Sequence, residues 1–291
     1  MALLQLSLQT SGDQVDTVSA AFNSMGALSV TVLDAGDEPL LEPAPGETPL
    51  WSSVRLVALF PAGQDQETLR LTLHEQLPDL AESAFVETLE DQDWSNTWRD
   101  SFSAMCFGKL LWVCPVGEPP QQSDAVVVHL DPGMAFGTGT HATTAMCLRW
   151  LDAHPPTDQC VIDYGCGSGI LAIAAHKLSA AHVSAVDIDP QALLATQENA
   201  RRNGCGEAIR VLHPDELEMA TADLLIANIL ANPLIELAED FSRRVKTGGQ
   251  VVLTGILSEQ AADVQAAYQP AFDFAAPVCD AEWVLLAGTR R

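Results

Sequence analysis

The sequence predicts an α/β protein in two parts, a small α+β domain followed by an open, mostly parallel sheet with helices on both faces. Three observations carry this. The apolar run Val161-Ile162-Asp163 enters the turn Gly165-Cys166-Gly167-Ser168-Gly169, and an alanine-rich helix pattern, Ile170 to Ala174, leaves it. That is the first half of a βαβ unit. Beyond it, short apolar runs alternate with helical patterns to the last residues. Before it, the first 89 residues follow the order βαββαβ, which is that of a ferredoxin-like domain.

Leu4, Leu6 and Leu8 alternate with polar residues, the period of a half-buried strand. Val15, Val18, Phe22 and Met25 recur at helical spacing, with Gly26 as a stop. Leu28, Val30 and Val32 form a second strand, and a proline-rich loop runs from Pro39 to Pro49. Val54, Leu56, Ala58 and Phe60 make a third strand, Leu69, Leu73 and Leu77 a second helix, and Ala84 to Leu89 a fourth strand. Trp94 and Trp98 then share one helix face, as wedges between domains or, as the lesser alternative, as a grip on a substrate. Lys109 to Cys114 and Ala125 to Leu130 read as two more strands. The glycine- and threonine-rich stretch Asp131 to Thr144 reads as a ligand cover, or alternatively as a structural Ω-loop, ahead of a helix over Met146 to Leu151. In it, His141 suits a capping or loop hydrogen-bond role.

After the glycine turn, Val183 to Val186 forms a strand ending in Asp187, and Pro190 suits a first helical position with Gly204 as the stop. Ile209 to Leu212 and Asp223 to Leu230 are further strands, with Asn232-Pro233 as N-cap and first helical residue. Lys246 to Gly249 turns into Val251 to Thr254, and Phe272 to Pro277 and Trp283 to Ala287 close the sheet.

The 291 residues, 47% hydrophobic and 18% charged, belong to a folded globular protein of about two domains. Met1 to Gln14 carries no basic residue, which argues against a secretory signal, and no stretch approaches a membrane span. Seven cysteines without a C-x-x-C pair suit a reducing cytosol, and the seven histidines form no cluster that suggests a metal. The net charge of −25 argues against direct recognition of nucleic acid, whose phosphates it would repel. It favours encounter with a basic partner, though an acidic surface also serves solubility.

In an open parallel sheet the ligand lies beyond the C-terminal strand ends. Here those ends carry the Gly165 turn, Asp187 and Asn228. The glycines let a ligand lie against the backbone, and the helix N-terminus faces its negative group. Asp187 follows Gly165 by 22 residues, the spacing at which an acid accepts hydrogen bonds from ribose hydroxyls. A nucleoside-type ligand follows. Asn228 offers one acceptor and two donors, enough to hold an amine's hydrogens and aim its lone pair, or simply to begin a turn or cap a helix.

These residues resemble the class I S-adenosylmethionine-dependent methyltransferases. The longer strings Pro45-Gly46-Glu47-Thr48-Pro49-Leu50-Trp51, Asp131 to Thr144, Asp163 to Ala174, Ala227-Asn228-Ile229-Leu230 and Thr254-Gly255-Ile256-Leu257 together resemble the bacterial ribosomal protein L11 (L-eleven) methyltransferases over essentially the whole chain. Tyr164 stands where relatives can carry Phe, and Ala142 where some carry Pro. The resemblance implies a ferredoxin-like substrate-recognition domain (residues 1–89), a helical linker (90–106) and a Rossmann-like, seven-stranded catalytic domain (107–291). It also implies methyl transfer from S-adenosyl-L-methionine to lysine ε-amino groups and the N-terminal α-amino group of large-subunit ribosomal protein L11, by a cytoplasmic monomer. Its implied cofactor contacts are Thr144, Gly165, Gly167, Asp187 and Asn228, with Asn228 also catalytic.

Three other readings share parts of the pattern. An NAD-dependent oxidoreductase would use the same glycine turn. A glutamine or adenine N-methyltransferase would show Asn-Pro-Pro-aromatic where this chain has Asn228-Ile229-Leu230-Ala231. A non-catalytic ribosome-assembly factor could retain the cofactor-binding fold.

Overall fold

The computed structural model describes residues 3–36, 50–61, 63–89, 103–118, 120, 122–130, 140–217 and 221–291. The proline-rich loop, both linker tryptophans and the first nine residues of the 131–144 stretch lie outside these. The chain divides into two compact units, Met1–Trp94 and Ser95–Arg291.

The first unit runs β1 (Leu3–Ser11), α1 (Val15–Ser24), β2 (Ser29–Asp34), β3 (Ser53–Pro61), α2 (Gln66–Gln76), β4 (Phe85–Leu89). Its sheet has the order β2-β3-β1-β4 and is antiparallel throughout. The period-2 pattern sends Leu4, Leu6, Leu8, Val54, Leu56, Ala58 and Phe60 to one face, where they are buried against Val18 and Phe22 of α1 and Leu69 and Leu73 of α2. Asp65 caps α2 by accepting from the Thr68 N–H at 3.0 Å and its hydroxyl at 2.9 Å. Those bonds hold its carboxyl below the usual range.

In the second unit, β5 (Met105–Phe107), β6 (Leu111–Cys114) and β7 (Val126–His129) make a three-stranded sheet. Asp152 fixes its first hairpin by accepting from the backbone N–H groups of Lys109, Leu110 and Leu111 at 2.6, 2.9 and 2.8 Å. Asp152 belongs to α3 (Ala142–Ala153). Next come β8 (Cys160–Tyr164), α4 (Ile170–Lys177), β9 (His182–Val186), α5 (Pro190–Arg202), β10 (Ile209–Leu212), β11 (Ala222–Asn228), α6 (Ala231–Glu236) and α7 (Ala238–Arg244). The chain closes with β12 (Val245–Leu257), α8 (Ala261–Tyr268), β13 (Phe272–Phe274), β14 (Val278–Asp280) and β15 (Trp283–Arg290).

The large sheet has the order β10-β9-β8-β11-β12-β15-β13, with β14 pairing to β15. Strands β8 to β12 are parallel neighbours, and β15 is antiparallel to β12 and β13. Adjacent residues on each strand supply opposite cores. Val161, Leu224 and Ile226 join one cluster with α3 and α4, whereas Ile162, Leu225 and Ala227 join another with Leu234 of α6 and Phe241 of α7. A strand covered on both faces has no polar alternation, which is why these read as continuous apolar runs.

Three details differ from the sequence reading. Lys246 to Gly249, expected as a turn, lies inside β12, which starts at Val245. The helix after β11 starts at Ala231, with Leu230 as its N-cap and no side-chain cap. Asn232 is therefore inside the first turn instead of capping it. Strands β5 and β14 and helix α8 were not anticipated, since the two strands are only three residues long.

Candidate functional site

The strand order reverses between β8 and β11, and in such sheets the crevice beyond that point receives the ligand. On one side is the glycine turn. Its first two N–H groups, from Gly165 and Cys166, both donate to the Val186 carbonyl, at 2.8 and 3.0 Å, which ties the end of β8 to the end of β9. Gly165 has φ +78, and a Cβ there would lie 2.2 Å from Ile229 Cγ2. The turn therefore presses against the residue after Asn228, at a left-handed backbone angle that favours glycine.

Asp187, the first residue past β9, grips the turn from outside. Its Oδ2 accepts from the Gly167 N–H at 2.9 Å and its Oδ1 from the Asp189 N–H at 3.0 Å. A carboxylate has about four acceptor positions, so a half-buried Asp187 keeps capacity for a ligand's hydroxyls. Asp189 in turn caps α5, accepting from the Gln191 N–H at 2.9 Å, with Pro190 at the first helical position.

Across the crevice, the Asn228 Nδ2–H donates to Thr144 Oγ1 at 3.2 Å, a contact between residues 84 positions apart. Thr144 is 2% exposed within α3, and Asn228 is half-buried at the end of β11. His141 caps α3 through Nδ1, which accepts from the Thr143 N–H at 3.4 Å and lies 2.8 Å from Thr143 Oγ1. That is the capping role the sequence suggested for it.

The structure thus brings the five expected residues into two touching groups. Gly167 pairs with Asp187, Thr144 pairs with Asn228, and Gly165 joins the groups through Ile229. Four further residues were not singled out beforehand. Asp163, 1% exposed under the turn, accepts from the Ala172 N–H through Oδ2 at 2.9 Å, and its Oδ1 is buried with no hydrogen-bond partner. Burial, assisted by the nearby negative charge of Asp187, pushes its carboxyl up to about 7 against the pull of the Ala172 N–H. Helix α5 and the residue that follows it supply the other three. Thr196 Oγ1 donates to the Gly167 carbonyl at 3.0 Å, and Asn199 Nδ2 to the Ser168 carbonyl at 2.9 Å. Just past the helix, Asn203 clamps the His129 backbone, accepting from its N–H at 2.8 Å and donating to its carbonyl at 2.7 Å. Their i, i+3, i+7 spacing was the available signal, one polar stripe on one helix face.

The strand order also fixes the class. A dinucleotide-binding sheet runs 3-2-1-4-5-6, whereas here the antiparallel β15 is inserted between β12 and β13. This is the Rossmann-like fold of the class I S-adenosylmethionine-dependent methyltransferases. Within that class, the chain belongs to the ribosomal protein L11 methyltransferase (PrmA) family, whose model matches residues 2–291. It is 52% identical over 293 residues to the ribosomal protein L11 methyltransferase of Methylococcus capsulatus, covering 99% of each chain. Against that of Nitrosococcus oceani it is 50% identical over 295 residues, with 100% of each covered. It also matches a crystal structure of a ribosomal protein L11 methylase from Lactobacillus delbrueckii subsp. bulgaricus. The TM-score there is 0.61 at 32% identity, over 65% of this chain and 100% of that one.

Proposed function

We propose that this chain transfers methyl groups from S-adenosyl-L-methionine to amines of large-subunit ribosomal protein L11, its lysine ε-amino groups and N-terminal α-amino group. The Asn228–Thr144 pair beside the glycine turn is the observation that carries the reading, because it puts an oriented amide where donor and acceptor sites converge. Family membership supports the substrate.

The residues fit the methyl donor. The positive φ of the Gly165 turn brings its backbone close against Ile229 beside Asn228, Asp187 has acceptor capacity for ribose hydroxyls, and Asp163 Oδ1 is a buried oxygen under the turn with no hydrogen-bond partner in the protein. When bound, S-adenosyl-L-methionine supplies a methyl group already activated by its sulfonium. The protein's task is then alignment. Gly165, Gly167, Asp187, Thr144 and Asn228 hold the donor, and Asn228, braced by Thr144, also orients the accepting amine. A lysine amine has an ordinary pKa of about 10.4 and is mostly protonated at neutral pH, so the site must lower that value by desolvation or let a proton escape through water. Residues 1–89 present the recognition surface, residues 90–106 link it, and residues 107–291 carry the transfer. A cytoplasmic setting suits seven free cysteines.

The test is to incubate the protein with labelled S-adenosyl-L-methionine and ribosomal proteins from a strain lacking it, then map modified residues by mass spectrometry. Label on ribosomal protein L11 amines is expected. Label on RNA alone, or none, overturns the reading.

A further inference from the structure

Trp283 opens β15, pairs in register with Leu257 of β12 and Asp280 of β14, and is half-buried. Its ring meets that of His141 edge-on, with centroids 5.0 Å apart and planes at 69°, a favoured geometry for aromatic pairs. His141 is the cap of α3. Through Nδ1 it holds the first turn of that helix at Thr143, and the next residue, Thr144, receives the Asn228 amide hydrogen at 3.2 Å. A continuous chain of contacts therefore runs from Trp283 to His141, to the first turn of α3, to Asn228.

We propose that Trp283 is a positioning residue for the Thr144–Asn228 pair, acting through His141. An exposed capping histidine rotates about two side-chain torsions unless something packs on its ring, and Trp283 supplies that packing. The geometry that follows is demanding, because a hydrogen bond at 3.2 Å is already at the long end of its range and weakens with small displacements. Gly165, Gly167 and Asp187 sit on other strand ends and do not depend on this chain of contacts. The inference rests on the amine-methylation reading above.

The alternative is that Trp283 only packs against the core cluster it borders. Four variants separate the two: Trp283→Ala, Trp283→Phe, His141→Ala and the Trp283→Ala/His141→Ala double variant. With ribosomal protein L11 as acceptor and saturating S-adenosyl-L-methionine, Trp283→Ala is expected to lower kcat about tenfold. The calorimetric Kd for S-adenosyl-L-methionine should change by less than kcat does, since Gly165, Gly167 and Asp187 still hold the donor. Trp283→Phe keeps an aromatic edge and should recover most of the rate. The double variant should be no slower than His141→Ala alone, since the two act in series. Independently of activity, the Asn228 side-chain amide signal in the NMR spectrum should move in Trp283→Ala and His141→Ala but not in Trp283→Phe. Additive rate losses, or an unmoved Asn228 signal in Trp283→Ala, overturn the proposal. Should the wild-type protein methylate nothing, the methyl-transfer reading falls, and the NMR comparison still decides the role of Trp283.

Discussion

Replacing Asp163 with asparagine separates charge from shape at the buried carboxyl under the glycine turn. Asparagine keeps an oxygen for the Ala172 N–H, which Asp163 Oδ2 now meets at 2.9 Å, but cannot ionise. In the native protein the carboxyl titrates at about 7, against an ordinary value of 3.8. Between these values the native state binds a proton that the unfolded state has released, so stability is fully present below 3.8. It is lost as pH rises through the native value, and the loss levels off above it. At about 1.4 kcal/mol per pH unit, the gap of about three units is worth about 4 kcal/mol in all, and about 2 to 3 kcal/mol of it falls between about pH 5 and pH 8. The assay is urea unfolding of the ligand-free protein and of Asp163→Asn at several pH values across that range. The other titrating groups are common to both, so the stability difference isolates Asp163. It should shift in favour of Asp163→Asn by about 2 to 3 kcal/mol as pH rises over the range. Parallel stability curves would refute the buried-carboxyl reasoning.

Three further outcomes follow from the same geometry. Gly165→Ala should cost about 1–2 kcal/mol of stability through its left-handed backbone. It should also lower methyl transfer, because the new methyl must displace Ile229 beside Asn228; an unchanged kcat would show that Ile229 yields harmlessly. Asn199→Ala removes the donor to the Ser168 carbonyl and should cost about 1 kcal/mol by urea unfolding, the typical net worth of one hydrogen bond. With net charge −25, stopped-flow association with the basic ribosomal protein should slow as salt rises from about 0.05 to 0.5 M. A salt-independent rate would assign the acidic surface to solubility.

The parts legible in the sequence are those set by local pattern. The glycine turn is legible because three glycines between an apolar run and an alanine-rich helix have few other uses, and Asp187 because strand ends in a parallel sheet share one edge. The Asn228–Thr144 contact spans 84 positions, and no local period encodes such a pairing. Only the resemblance singled out Thr144. Thr196, Asn199 and Asn203 read as the wet side of an amphipathic helix, yet their partners are backbone carbonyls and one backbone N–H. A polar residue that satisfies buried backbone looks, in sequence, like one that faces water. Asp163 was hidden for the opposite reason, since an acid at the end of an apolar strand looks like the strand's boundary when it is in fact buried. The cap expected at Asn232 failed because Asn-Pro is also compatible with the interior of a first turn, and the chain entered the helix two residues earlier.

The division of labour between Asp187 and Asn228 is the centre of the account, and one paired measurement addresses it. Calorimetric affinity for S-adenosyl-L-methionine and kcat for ribosomal protein L11 methylation are determined for wild type, Asp187→Ala and Asn228→Ala. Asp187→Ala should weaken donor binding about 10- to 100-fold, the worth of a hydrogen bond to a charged group. Asn228→Ala should weaken donor binding as well, and in addition lose about 100-fold in kcat at donor saturation, the cost of a misplaced reactant. An Asn228→Ala protein that turns over at the wild-type rate would contradict the account.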